Sequence, residues 1–163
     1  MTTQIKGNDT STFGGNVDVT GNVITDAPAF SAYSNSGIAI TAGTWTKIPF
    51  NVKRFDTNSC YDTSNYRFTP NVEGYYQVNG AMGTVSGGGA GYFLVGIYKN
   101  GSAYTYGTNF PAHATNGPNS TISSLVYMNG TTDYIELYIV SAVNATTYSD
   151  SVRYFDAHLA RAV

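Results

Sequence analysis

At 163 residues the chain is long enough for one domain with its own core and a short appendage. Only 11% of residues are charged, and 8 basic against 10 acidic side chains leave a formal net charge of −2 with no basic patch, which argues against a nucleic-acid partner. A single cysteine, Cys60, excludes a disulfide framework, and no run approaches the ~20 apolar residues of a membrane helix, so helical membrane insertion is not expected.

Low charge alongside 18 Gly and 14 Tyr means that solubility rests on hydroxyls and amides. Such a surface suits packing against further copies of the same chain, where charge would need desolvation. The opening Met1–Gly7 lacks the apolar run of a secretory leader, so the chain is expected to fold in a cytoplasm.

Residues 1–27 read as an extended arm. Gly15-Asn16-Val17 and Gly21-Asn22-Val23 repeat after Thr12-Phe13-Gly14. Phe13, Val17, Val19, Val23 and Ile24 are too few to make a core, so such units gain their partners from another chain. A loose tail is the alternative. These Gly-Asn-Val units resemble the opening segments of many bacteriophage virion proteins, which implies an arm that attaches a globular module to the particle.

From Pro28 onward, period-two alternation predicts strands separated by turns, with no sustained helical period. Phe30 and Ala32 share one face, as do Ile48, Phe50 and Val52. Tyr76, Val78 and Gly80 oppose Tyr75, Gln77 and Asn79. Residues 92–98 are apolar on both faces, so one face is expected in the core and the other at a subunit interface. Ile122, Val126 and Met128, then Ile135, Leu137 and Ile139, then Phe155, Ala157 and Leu159 continue the pattern. Lys99-Asn100-Gly101 and Asn129-Gly130 are hairpin-type turns. Many short strands with this punctuation predict an all-β antiparallel jelly-roll sandwich spanning residues 28–163.

Tyr61-Asp62, Tyr66-Arg67-Phe68, Pro70 and Glu73-Gly74-Tyr75-Tyr76-Gln77-Val78 form the most specific stretch. It resembles the signature of the complement C1q globular head and its tumour-necrosis-factor-like relatives. Pro28-Ala29-Phe30-Ser31-Ala32, Trp45–Phe50, Val95–Gly101, Ser123–Gly130, Asp133–Leu137 and Ser151–Leu159 extend the likeness over roughly Pro28 to Arg161. It departs in the longer turn Asn129–Asp133 and in Asp156, where the family usually has glycine, so an axial calcium or ligand site is not carried over. The resemblance implies a C1q/TNF-like homotrimer that binds or builds rather than catalyses. Tyr76, Tyr92, Tyr98, Tyr127 and Tyr138 are candidates for the trimer interface, core filling being their alternative. Counting strands back from the C-terminus places loops 100–118 and 142–151 at the pole far from the chain end, and 83–91 and 129–133 at the base. Tyr104, Tyr106, Phe110 and Tyr148 are then candidate distal-loop contacts to sugar or protein, against the reading of an ordinary polar cap.

Chemistry-bearing motifs are missing. His113 and His158 are the only histidines, and no metal-ligand spacing, nucleophile elbow or phosphate loop occurs. Asp56, Asp62, Asp133 and Asp150 are separated loop aspartates, for which solvation is the first expectation and calcium the second. No catalytic residue, cofactor or metal is assigned and no enzyme is expected. The expected function is a trimeric capsid decoration (cement) protein of a bacteriophage, located in the virion after assembly in the host cytoplasm and partnered by the major capsid protein. The rival is a receptor-binding tip joined to tail-fibre or adaptor proteins that recognises host glycan or protein.

Overall fold

The computed structural model describes residues 27–86, 91–111 and 119–163. They form fourteen strands and, among the described residues, no helix. In chain order these are β1 (Ala29–Ser34), β2 (Ala39–Ile40), β3 (Thr46–Lys47), β4 (Val52–Asp56), β5 (Tyr61–Asp62), β6 (Arg67–Phe68) and β7 (Glu73–Ser86). They continue as β8 (Tyr92–Lys99), β9 (Ser102–Tyr106), β10 (Phe110–Pro111), β11 (Asn119–Asn129), β12 (Ile135–Ser141), β13 (Ala145–Thr147) and β14 (Asp150–Ala162). The candidate arm residues Phe13, Val17, Val19, Val23 and Ile24 lie outside the described residues.

The strands build two antiparallel sheets, the jelly roll that the alternation predicted. Across its width the first sheet runs β4–β1–β14–β7–β11, with β13 and β2 continuing from one end of β7. The second centres on β8 and β12, with β9 and β10 beside β8 and β3 and β6 beside β12. Alternation sends Phe30, Tyr76, Val78, Val126 and Phe155 of the first sheet inward against Phe93, Val95, Ile97, Leu137 and Ile139 of the second, all fully buried. Phe30 is the hub, its ring centroid 4.5 Å from Tyr61, 4.6 Å from Phe68 and 5.0 Å from Phe155. Each such side chain contributes about 1.5–3 kcal/mol of burial.

Register fixes the two poles. Gly74 lies opposite Ala162, so the start of β7 shares the base with the chain end. Thr84 lies opposite Thr147, so the end of β7 is at the far pole. This corrects the placement of loop 83–91 at the base: residues 83–86 lie at the far pole, and residues 87–90 lie outside the described residues. The cause is β9, which is a strand rather than part of a 100–118 loop; one extra traverse reverses everything before it. The turn at Asn100 (φ 53°) and Gly101 (φ 77°) therefore sits at the base, where Asn100 Nδ2 donates to Asp133 Oδ1 at 2.7 Å. Residues 107–109 and 142–149 follow strands running away from the base and lead off at the far pole.

The far-pole end of the core is closed by hydroxyls: Ser34, Thr84, Ser120, Ser141 and Thr147 are all buried. Most of them hold loop backbone. Ile38 N donates to Thr147 Oγ1 (2.9 Å), Val143 N to Ser141 Oγ (3.2 Å) and Val95 N to Ser120 Oγ (3.2 Å), while Ser34 Oγ donates to Ser36 O (2.8 Å). Buried polar groups persist where they are satisfied in this way.

Candidate interaction surfaces

Residues paired across a strand ladder share a face, so the outer face of the first sheet can be read in rows. Nearest the base are Tyr127, Tyr75 and Arg161; next come Leu125, Gln77 and His158; then Ser123, Asn79, Asp156 and Ser31; then Thr121, Ala81 and Tyr154. The first rows are apolar toward the β11 edge: Tyr75 is 41% exposed, Leu125 51% and Tyr127 37%. With Ala160 and Arg161, Tyr75 and Leu125 line a shallow depression of about 310 Å³. The third row is a polar ladder, in which Ser123 Oγ donates to Asn79 Oδ1 (2.9 Å) and Asn79 Nδ2 to Asp156 Oδ1 (2.9 Å).

Among the described residues β11 pairs as a strand only with β7, yet its other edge is occupied by its own chain. Thr108 N donates to Thr121 O (3.0 Å), Tyr104 Oη to Leu125 O (3.3 Å) and Lys99 Nζ to Tyr127 O (2.7 Å). Capping alternate carbonyls blocks addition of a further strand at this edge.

The candidate interface tyrosines separate. Tyr76 is corrected to a core residue: its ring packs edge-on to Phe68 at 5.5 Å and its hydroxyl donates to Val72 O at 2.8 Å. Burial, reinforced by Cys60, pushes that hydroxyl up to about 12. Tyr127 is on the apolar corner, edge-on to Tyr75 at 5.6 Å, with its hydroxyl donating to Glu73 Oε1, which raises its pKa. Tyr92 is exposed at the far end of β8. Tyr98 and Tyr138 stack on each other at 4.1 Å on the outer face of the second sheet. These residues do not make one contiguous patch.

That second outer face is roofed by the chain itself, where the sequence suggested a partner. Trp45 stacks on Tyr106 at 4.9 Å and tilts against Tyr98 at 5.7 Å. Both Trp45 and Tyr106 close over Gly96, where an added Cβ would come within 3.0 Å of Tyr106 and 3.1 Å of Trp45, so a larger residue would lift the roof. Beside Tyr138 lies the ion pair of Lys47 Nζ with the buried Glu136 Oε1, 3.0 Å apart.

Of the distal contacts, Tyr104 and Tyr106 are strand residues of β9 rather than loop residues. Phe110 pairs through its backbone with Phe93, and its side chain lies outside the described part. Tyr148 sits at the far pole with the Arg153 guanidinium 3.8 Å from its ring centroid. Three of the separated aspartates bind backbone, and the side chain of Asp150 lies outside the described part. Asp56 accepts from Cys60 N (2.9 Å) and Tyr61 N (3.2 Å), and Asp62 from Ser64 N (2.7 Å). Asp133 accepts from Asn129 N (3.1 Å). Among the described residues no group of three or more His, Cys, Asp or Glu is placed to hold a metal.

Above β11 the face carries a cleft of about 620 Å³, lined by Asn79, Thr121, Ile122, Ser123 and Tyr154 on one side and Tyr106, Gly107 and Thr108 on the other. Of these, sequence reasoning offered only Tyr106 as a candidate contact. The alternation that put Asn79 outward, extended across the register to Ser123 and Thr121, was the available signal.

No protein-family model and no curated protein matches the chain. Solved structures do. The globular domain of zebrafish complement 1qA protein superposes with a TM-score of 0.63 at 12% identity, covering 84% of this chain and 99% of that one. The Eiger TNF of S. frugiperda gives 0.61 at 6% identity, covering 84% and 94%. The vertex protein of phage PRD1 gives 0.51 at 15% identity, covering 86% and 100%. The fold is a C1q/TNF-like jelly roll.

Proposed function

We propose that the protein is a non-enzymatic structural protein of a bacteriophage, whose homotrimers decorate the capsid and are held on the major capsid protein by the arm of residues 1–27. The observation that carries this reading is the apolar corner of Tyr75, Leu125 and Tyr127 beside a strand edge at which the carbonyls of Thr121, Leu125 and Tyr127 are already capped. A surface of that kind favours copies packing face-on into a closed ring over open-ended strand addition. The likeness to a phage vertex protein supports a virion setting. The aspartates tied to turn backbone support a structural role for polar groups that an enzyme would leave available. Residues 1–27 reach at most about 95 Å when extended, enough to cross neighbouring subunits.

A second reading, a receptor-binding tip, is favoured by the cleft beside Tyr106. Electron microscopy of particles carrying the protein separates the two. Hundreds of trimers spread over the shell are the expected result. A few copies at the tail alone would overturn the decoration role and leave the tip.

A further inference from the structure

We propose that the cleft between Tyr106–Thr108 and Thr121–Ser123 is a binding site for a neutral saccharide. This goes beyond the attachment role and holds whichever part of a virion carries the domain.

The lining chemistry selects the ligand class. Among the described residues no Lys, Arg, His, Asp or Glu lines the cleft, so they offer an ionic ligand no counter-charge. What lines the cleft instead is one amide, three aliphatic hydroxyls (Thr108, Thr121 and Ser123) and two tyrosines. Hydroxyls both donate and accept, as do the ring hydroxyls of a sugar. One face of Tyr106 is stacked on Trp45, yet the residue is 53% exposed. Its exposure therefore falls on the opposite face and edge, the part that would pack against the C–H side of a pyranose. The volume, about 620 Å³, lies within the roughly 300–1,000 Å³ range of small-ligand sites and suits one or two sugar rings.

The site is also held in place. Asn79 receives hydrogen bonds at Oδ1 from Ser123 Oγ (2.9 Å) and Gln77 Nε2 (3.2 Å), which fixes its amide orientation. Its Nδ2 carries two hydrogens, and the bond to Asp156 at 2.9 Å uses one. The opposite wall is pinned by Thr108 N to Thr121 O (3.0 Å), Gly107 N to Val95 O (2.8 Å) and Ser120 Oγ to Thr108 O (2.6 Å). Gly107 permits that approach, since a Cβ there would lie 2.3 Å from Thr121 O. A wall fixed before binding lowers the ordering cost that weakens most sugar sites.

The test is a titration of the full-length protein with methyl glycosides of glucose, galactose, mannose and N-acetylglucosamine, followed by amide NMR, with glucuronic acid as the charged comparison. Saturable shifts at Gly107, Thr121 and Ser123 with at least one neutral glycoside, in the millimolar range, are expected. Thr121→Arg, which projects a long side chain from an exposed position, should weaken that binding by ~10-fold or more, and Ser123→Ala by a smaller factor through one lost hydrogen bond. Several outcomes overturn the proposal: no saturable shift with any neutral glycoside at tens of millimolar, shifts indifferent to both variants, or preference for glucuronic acid. Amides of the cleft shielded from hydrogen exchange by a second copy, with no sugar bound, would reassign it as a subunit contact.

Discussion

Tyr75 and Tyr76 are adjacent in sequence and lie on opposite sides of one sheet, Tyr75 open at the base of the outer face and Tyr76 sealed against Phe68. Strand alternation alone separates them. Replacing Tyr76 with Ala removes a buried ring and strands Val72 O, so denaturant unfolding should show a loss of about 3–5 kcal/mol. Tyr75→Ala should leave the melting curve nearly unchanged and weaken self-association, as should Leu125→Asp, which sets a charge in the proposed contact. Sedimentation equilibrium reads both. Trimers that survive Leu125→Asp would remove this face from the assembly.

At the base, Asp133 joins two turns. Partial burial on its own would raise its carboxyl, but bonds from Lys99, Asn100 and the Asn129 backbone N–H outweigh it and hold the group below the usual carboxylate range. A depressed folded value means that the stabilisation is fully present above the unfolded pKa of about 3.9 and is lost as pH falls through the lower folded value. Melting temperature should therefore drop on acidification below about pH 4. Asp133→Asn should cost about 2 kcal/mol at neutral pH and flatten that acid limb. An unchanged acid limb in the variant would assign the sensitivity to another carboxylate, with Asp62, held low by Asn65 and the Ser64 N–H, the next to replace.

Ser120 links three segments at the far pole: it accepts from Val95 N, donates to Thr108 O, and sits on β11. Ser120→Ala leaves a buried N–H and a carbonyl without that partner and should destabilise by about 1–3 kcal/mol. Because Thr108 is one wall of the cleft, amide exchange at Gly107 and Thr108 should quicken in the variant. Exchange unchanged at both would mean that the backbone bond Thr108 N to Thr121 O holds the wall unaided.

The core was legible because burial on one face writes a period of two into Phe30/Ala32, Tyr76/Val78 and Ile135/Leu137/Ile139. What failed was β9: Ser102–Tyr106 has no buried aliphatic stripe, since it lies along the β11 edge with its tyrosines outward, and without it the poles of residues 83–86 and of the Asn100–Gly101 turn were exchanged. Trp45 was readable as a strand residue only. Its place over Gly96 depends on a glycine, a tyrosine and a tryptophan distant in the chain, and no local pattern announces that. The cleft was hidden for the same reason, its residues being ordinary outward-facing Asn, Thr and Ser until the register sets them together.

Removing residues 1–27 tests the division between arm and domain. The domain is tied in from Ala29, whose N–H donates to Thr57 Oγ1 at 3.0 Å, and β1 keeps its ladders to β4 and β14 without the arm. Among the described residues, the bond that the truncation forgoes is that of Thr57 Oγ1 to Ala27 O, at an exposed site worth about 1 kcal/mol or less. The truncated protein should therefore fold, melt within a few degrees of the full chain and form the same oligomer, yet fail to bind particles stripped of the native protein. Co-sedimentation of labelled protein with stripped particles measures this directly. Full attachment by the truncated form would assign particle binding to the jelly roll itself.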